Sequence, residues 1–358
     1  MKNYNEIIKM GGDITLKHKL VKLLILGNMV LLMGCGASKP GVSEQESVVT
    51  DVQMTDVEQE TFARSETQQQ PVEEESEEMS SEQEGGDQMN GEEKSAYTVP
   101  EGYREKKQDV VYGTLTTVEY DSNTTGTTRK VNVILPAGYD ENKEYPVLYL
   151  LHGIGGDQNE WLGADPVVVL GNMVASQEAE EMIVVMPNVR ARANDGGNPS
   201  DIFTVEHFQA FDHFINDLRD DLMPYIEEHY AVKTGRENTA IAGLSMGGRE
   251  SLYIGLTMAD TFGYVGAFCP APGVLPYPTE KGLFETDQFM LPQEYDSFIM
   301  IVEGSNDTVV NEWPSTYHQT LLDNGTEHVY YVTEGGHDFT VWTHGLYNFA
   351  KELFHENN

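Results

Sequence analysis

Cysteine is almost missing from this sequence: of 358 residues, only Cys35 and Cys269 carry a thiol. Two thiols cannot build the multi-bridge framework of small secreted domains, nor a cysteine-ligated metal cluster. No His-Glu-x-x-His spacing occurs, so only scattered carboxylates and imidazoles are left as metal ligands. Positive charge is scarce as well. Lys and Arg number 22 against 59 Asp and Glu, a formal net charge of −37. A surface of that sign repels phosphate backbones, which excludes nucleic acid as a partner. Length in apolar runs is missing too: Leu23–Met33 (LLILGNMVLLM) falls short of the roughly 20 residues needed to cross a bilayer as a helix.

What is there is unevenly spread. Between Gly36 and Ala96 stand 17 acidic residues against 3 basic ones, with almost no aromatic side chains. Such a stretch buries too little apolar surface to offset its ordering entropy, and like-charge repulsion extends it. Residues 36–96 therefore read as a disordered acidic linker. Ahead of it, Lys2, Lys9, Lys17, Lys19 and Lys22 precede the short apolar run, the pattern of a secretory signal segment over 1–35. Its ending, Leu32-Met33-Gly34-Cys35, resembles a bacterial lipobox. The expectation is acylation of Cys35, with the chain held to the outer face of a bacterial membrane by lipid. Residues 97–358 are left for one folded domain.

Within that domain the pattern alternates between strands and helices. Val110–Tyr120 and Arg129–Leu135 alternate apolar with polar residues around a turn at Asn123–Gly126. Pro146–Leu151, Met182–Pro187, Thr239–Ala242, Tyr264–Cys269, Phe298–Glu303 and Val329–Thr333 are apolar runs that fit buried parallel strands. Cys269, at the end of one of them, reads as a core thiol. Val205–Tyr230 has the periodicity of a long amphipathic helix that Pro224 bends or divides, and Asn188–Ser200 reads as a loop forming an active-site wall. Final helices are expected at Arg249–Ala259 and Val341–His355.

One stretch carries chemistry. Gly243-Leu244-Ser245-Met246-Gly247 is G-x-S-x-G, placed between a strand and a helix. That setting is the nucleophile elbow of an α/β-hydrolase, and the fold expected is a central, mostly parallel sheet flanked by helices. Its strained turn needs glycine on both sides so that the chain can approach itself closely. After the strand ending at Leu151 comes His152-Gly153-Ile154-Gly155-Gly156. In this fold that loop supplies one oxyanion-hole amide, here Ile154; the other is Met246, after the nucleophile. His152 reads as structural, since the base belongs near the C-terminus. Asp307, beyond the strand at Phe298–Glu303, is preferred to Glu303 and Asp296 as the triad acid. His337, on the glycine-bearing loop Glu334–Phe339, is the base. The order Ser245, Asp307, His337 is the hydrolase order.

The segments LLHGIGGDQNEW, GLSMGGRE, EGSNDTVV and GGHDFTVW together resemble the feruloyl esterases of carbohydrate esterase family 1, relatives of esterase D and the mycolyltransferases, from about residue 108 to 354. The resemblance implies hydrolysis of hydroxycinnamoyl (feruloyl) or acetyl esters on plant xylan by Ser245, Asp307 and His337, with no cofactor and no metal. Trp161 and Trp342 are the candidates to stack on a phenolic ring or a sugar face. An acetylxylan esterase, a general carboxylesterase, a siderophore-ester hydrolase and a non-catalytic surface lipoprotein remain as alternatives. The acidic linker and lipid anchor lie outside the family pattern, and oligomeric state is not legible.

Overall fold

Apolar runs too long to alternate can be buried only where both faces of a sheet are covered, and the chain arranges them accordingly. A computed structural model describes residues 97–196, 199–277 and 281–355. The signal segment 1–35 with Cys35, and the linker 36–96, lie outside the described residues. Eight strands form one sheet: β1 (Thr114–Ser122), β2 (Thr127–Leu135), β3 (Val147–Leu151), β4 (Ile183–Pro187), β5 (Thr239–Leu244), β6 (Tyr264–Phe268), β7 (Phe298–Gly304) and β8 (Val329–Thr333). Their spatial order is β1-β2-β4-β3-β5-β6-β7-β8. The β1–β2 and β2–β4 pairings are antiparallel, and every later pairing is parallel. Every residue of β3, β4 and β5 is buried. This is the mostly parallel α/β-hydrolase sheet.

Helices cover both faces. Helix α1 (Pro166–Ala175) follows β3; α2 (Val205–Asp212), α3 (Phe214–Asp217) and α4 (Met223–His229) follow β4. Then come α5 (Met246–Thr257) after β5, α6 (Trp313–Asp323) after β7 and α7 (Phe339–Ala350) after β8. Adjacent residues of β6 show that α5 and α7 take opposite faces. A Cβ on Gly255 of α5 would lie 2.4 Å from Val265, while one on Gly266 would lie 3.2 Å from Phe349 of α7.

The strand order fixes where chemistry can occur. From β3 the chain steps to β4 on one side and then to β5 on the other, so the loops leaving β3 and β5 diverge. The crevice outside their carboxyl ends is where open α/β sheets bind ligands. The register Leu151↔Gly243 brings those two ends level.

Two expectations need correction. The first strand runs over Thr114–Ser122 rather than beginning at Val110, because residues 110–113 precede the ladder. The helix expected over Val205–Tyr230 is three pieces, with a π turn at Leu218–Leu222 between α3 and α4. Pro224, in the first turn of α4, has no N–H to donate and would crowd the carbonyl one turn back. The widened turn just ahead of it relieves that clash. The expected hairpin turn forms, with Gly126 at φ 68° donating its N–H to Ser122 O at 2.9 Å.

The break also points two acids at the hairpin. Asp221 accepts from the N–H groups of Asn123 and Thr124 at 3.0 and 2.9 Å. Asp217 pairs with Arg129 and accepts from Tyr120 Oη at 2.6 Å. Arg129 also donates to Asn188 O and Arg190 O, at 2.6 and 2.8 Å, and to Asp195 at 3.1 Å. One buried guanidinium thus ties β2 to the segment after β4. Both side chains of the Arg129–Asp217 pair are fully buried, so removing one strands the other charge. Arg129→Met is expected to lower unfolding free energy in urea by about 3–5 kcal/mol, and adding Asp217→Leu to recover most of it. A single-variant loss under about 1 kcal/mol contradicts this.

Candidate active site

Ser245 sits between β5 and α5 at φ 52°, ψ −117°, a conformation strained for any residue with a Cβ. Its neighbours explain how the strain is held. A Cβ on Gly243 would lie 2.3 Å from Gly247 C, and one on Gly247 would lie 2.3 Å from Leu151 O. Only glycine permits either contact. Ser245 N–H donates to Phe268 O at 2.9 Å, and Ser245 O accepts from Arg249 N–H and Ala271 N–H, both at 3.0 Å. The turn is therefore fixed to β6 and the chain beyond it.

The loops after β7 and β8 bring the other two groups. His337 Nε2 lies 2.9 Å from Ser245 Oγ, and His337 Nδ1 lies 2.7 Å from Asp307 Oδ2. The other carboxylate oxygen of Asp307 accepts from Val309 N–H and Val310 N–H at 2.9 and 3.2 Å. Burial alone pushes this carboxyl up. The hydrogen bond and charge of His337, with the two amides, outweigh it and hold Asp307 below the usual carboxylate range. The rival acids are elsewhere: Asp296 pairs with Arg236 at 2.8 Å, and Glu303 accepts from Tyr330 Oη at 2.6 Å.

The turn after β3 is held largely by side chains from elsewhere. Val189 N–H donates to His152 Nε2 at 2.8 Å, so Nδ1 carries the proton and donates to Gly153 O at 2.7 Å. Gly153 N–H donates to Glu160 Oε2 at 2.6 Å, and His207 Nε2 donates to Ile154 O at 2.7 Å. Gly156 N–H donates to Gly153 O at 3.1 Å, and Gly156 O accepts from Arg190. Among the described residues, neither the Ile154 nor the Gly155 N–H has a hydrogen-bond partner. In a trans peptide the N–H opposes the C=O. Holding Gly153 O toward His152 therefore turns the Ile154 N–H the other way. Gly153 itself packs on the nucleophile, with a Cβ position 3.3 Å from Ser245 Cβ. Met246, the first residue of α5, has an N–H at the start of a helix, without an intrahelical acceptor.

The tryptophans are placed differently from expectation. Trp161 is 1% exposed and donates to Leu151 O at 2.8 Å, its ring set edge-on against Phe268 and Phe339. Trp342 is 8% exposed and meets the His337 ring edge-on at 5.1 Å. Neither offers an open face for stacking on substrate. They are packing residues, one beneath the β3 loop and one beside the imidazole.

Sequence reasoning missed Glu160 and His207, whose contacts arise only on folding. It also placed Cys269 in the core without seeing its neighbours. The Cys269 sulfur, an Asp307 oxygen and a His337 nitrogen all lie within 4.8 Å of one another, the one group among the described residues crowded enough to hold a metal. Two of those atoms are already joined in the His337–Asp307 hydrogen bond. Burial, and then the charge of Asp307, push the Cys269 thiol well above the usual range, keeping it protonated.

A strained serine, an imidazole and a buried carboxylate, on the loops after β5, β8 and β7 of such a sheet, define a serine hydrolase of the α/β-hydrolase class. The Esterase family profile ("Putative esterase") matches residues 122–353, and the chain belongs to that family, a serine carboxylic ester hydrolase. A solved CE1 ferulic acid esterase from Anaeromyces mucronatus, in complex with ferulic acid, is similar at 42% identity. The match covers 72% of this chain and 97% of that one, with a TM-score of 0.67. An endo-1,4-beta-xylanase/feruloyl esterase of Xylanibacter ruminicola is 29% identical over 69% of this chain, and endo-1,4-beta-xylanase Y of Acetivibrio thermocellus 30% identical over 41%. The chain spans 32% and 13% of the lengths of those two proteins.

His152 gives a pH prediction. Burial, with the charge of Arg190, lowers its pKa from 6.5 to about 4. Between those values the unfolded chain binds a proton that the folded one refuses, so stability rises with pH there and falls on acidification. Urea titrations at pH 7 and 4.5 should show a loss of about 2 kcal/mol from this group, less than the full slope of about 1.4 per unit because each pKa lies near an end of the window. That share should be absent in His152→Asn. Equal pH slopes for the two proteins argue against it.

Proposed function

We propose that this protein is an exported, lipid-anchored serine esterase that cleaves hydroxycinnamoyl (feruloyl) esters of plant xylan through an acyl-enzyme. The observation that carries the chemistry is the unbroken relay from Ser245 through His337 to Asp307, at 2.9 and 2.7 Å. A serine hydroxyl is a weak nucleophile near neutrality and needs its proton taken during attack. His337 Nε2 accepts it, while Asp307 holds Nδ1–H, fixing the tautomer and stabilising the imidazolium. The oxyanion of the tetrahedral intermediate is met by the Ile154 and Met246 amides. His337 then returns the proton to the departing alcohol. Water, deprotonated by the same imidazole, attacks the Ser245 ester and frees the acid.

The acyl group is read from two supports. A relative similar along nearly its whole length is a ferulic acid esterase in complex with ferulic acid. The second is a set of exposed apolar side chains close to site residues along the chain. Leu162, Phe203, Val205 and Val309 are large apolar side chains exposed by 39%, 40%, 66% and 52%. Leu162, Val205 and Val309 each lie two residues from Glu160, His207 or Asp307 along the chain, and Phe203 lies four from His207. Exposed apolar side chains at these positions suit an aromatic acyl group better than an acetyl group. The anchor rests on the Leu32–Cys35 pattern, and the acidic stretch after it would hold the domain off the membrane.

Two experiments test this reading. With methyl ferulate, acetylated xylan and 4-nitrophenyl acetate compared side by side, kcat/KM should favour methyl ferulate over acetylated xylan. Ser245→Ala should abolish turnover of all three with an unchanged circular-dichroism spectrum. Preference for acetylated xylan defeats the feruloyl assignment, and wild-type turnover by Ser245→Ala defeats the serine mechanism. In a bacterial host, the chain should partition into the detergent phase on Triton X-114 separation. Cys35→Ala should shift it to the aqueous phase, and indifference to that substitution rules the anchor out.

A further inference from the structure

We infer that Glu160 is a positioning residue for the oxyanion hole: its carboxylate holds Gly153 N–H, so that the adjacent Ile154 amide faces the reacting carbonyl. The inference rests on the esterase reading above and adds to it a residue outside the triad.

The geometry is specific. Glu160 Oε2 lies 2.6 Å from Gly153 N. The side chain fills the concave side of the turn so tightly that a Cβ on Gly156 would lie 2.3 Å from the same oxygen. A Cβ on Gly153 would lie 3.4 Å from that oxygen and 3.3 Å from Ser245 Cβ, so one glycine separates carboxylate from nucleophile. Glu160 is itself fixed from both sides. Ahead of it, Asn132 of β2 donates to Gln158 O at 2.8 Å and to Asn159 Oδ1 at 3.0 Å. Behind it, the buried Trp161 indole donates to Leu151 O at 2.8 Å. A carboxylate so placed is a rigid acceptor.

The logic follows from the peptide groups. Gly153 can swing about its own φ and ψ more freely than any other residue, and such a swing would turn the 153–154 peptide. His152 holds that peptide by its oxygen, and Glu160 holds the preceding one by its nitrogen. With both ends of Gly153 tied, the Ile154 N–H keeps one direction without reorganising during reaction, the condition under which such donors are effective. Burial raises the Glu160 carboxyl above the usual carboxylate range, with Asp157 adding to this and the Gly153 amide, His337 and Arg190 opposing it. An acceptor oxygen is present in either protonation state, so the role needs reach rather than charge.

That separation gives the test, made on the full chain with 4-nitrophenyl acetate, so that the acyl preference is not at issue. Glu160→Gln keeps an acceptor oxygen in place and should retain kcat within about threefold. Glu160→Asp keeps the charge but falls short of Gly153, and Glu160→Ala loses both. Each should lower kcat by about 10- to 100-fold, below the cost of deleting a donor outright. KM should stay within about twofold, and affinity for a trifluoromethyl ketone, which forms the oxyanion adduct, should fall in parallel with kcat. Should Glu160→Ala fail to fold, the comparison of Gln with Asp decides alone. Wild-type kcat in Glu160→Asp, or equal losses in Gln and Asp, overturns the inference. Either result leaves the serine mechanism standing, because that depends on Ser245→Ala.

Discussion

The active site depends on how closely two loop backbones approach at the carboxyl ends of β3 and β5. Gly247 stands so near Leu151 O that a single methyl group would collide with it, and Gly243 stands equally near Gly247. This contact keeps Ser245 in its strained conformation and presses the β3 loop against the nucleophile. A strained residue persists only when its surroundings overdetermine it. Here they include the level register of β3 and β5 and the bonds from Ser245 to Phe268, Arg249 and Ala271. The sheet itself is the spring that holds the turn.

Around this contact the fold distributes tasks among loops of different stiffness. The His337 and Asp307 loops leave adjacent strands, β8 and β7, whose register ends level at Gly304↔Thr333. Two amides beside Asp307 and the indole edge of Trp342 against the imidazole keep acid and base from turning. The β3 loop has no such regular neighbour. It is held by side chains that arrive from elsewhere: His152 from its own start, Arg190 from beyond β4, His207 from α2 and Glu160 from the turn that follows. Arg129 in turn holds the chain around Arg190, so the buried pair of β2 also supports the β3 loop.

How much of this was legible in the sequence follows from the range of each interaction. The elbow was legible because strand, glycines, serine and helix are contiguous, and their steric needs are local. Asp307 and His337 were legible because the fold orders its triad along the chain and places each member after a recognisable strand. The sheet could be read from its unbroken apolar runs. The broken helix was less legible. Pro224 signalled a disturbance, but whether it bends, ends or widens a helix depends on what the displaced turn packs against, here the hairpin held by Asp217 and Asp221. The tryptophans were misread for a related reason. Nearness to a motif places a residue close to the site and says nothing of which way its ring points. Trp161 turns inward because Leu151 O needs a donor at the end of a parallel strand.

Glu160 and His207 belong to a third category, and they explain why the site's polar residues outnumber its motif. An amide left free to face a substrate gives its turn one hydrogen bond fewer, so the turn leans on partners from elsewhere. A short glycine-rich loop has few partners of its own to offer. The demand passes to side chains seven and more than fifty positions away, and their positions obey the geometry of the fold rather than any spacing rule. Buried acids and neutral histidines around such a turn, costly as isolated groups, are what an unoccupied amide requires of the rest of the molecule.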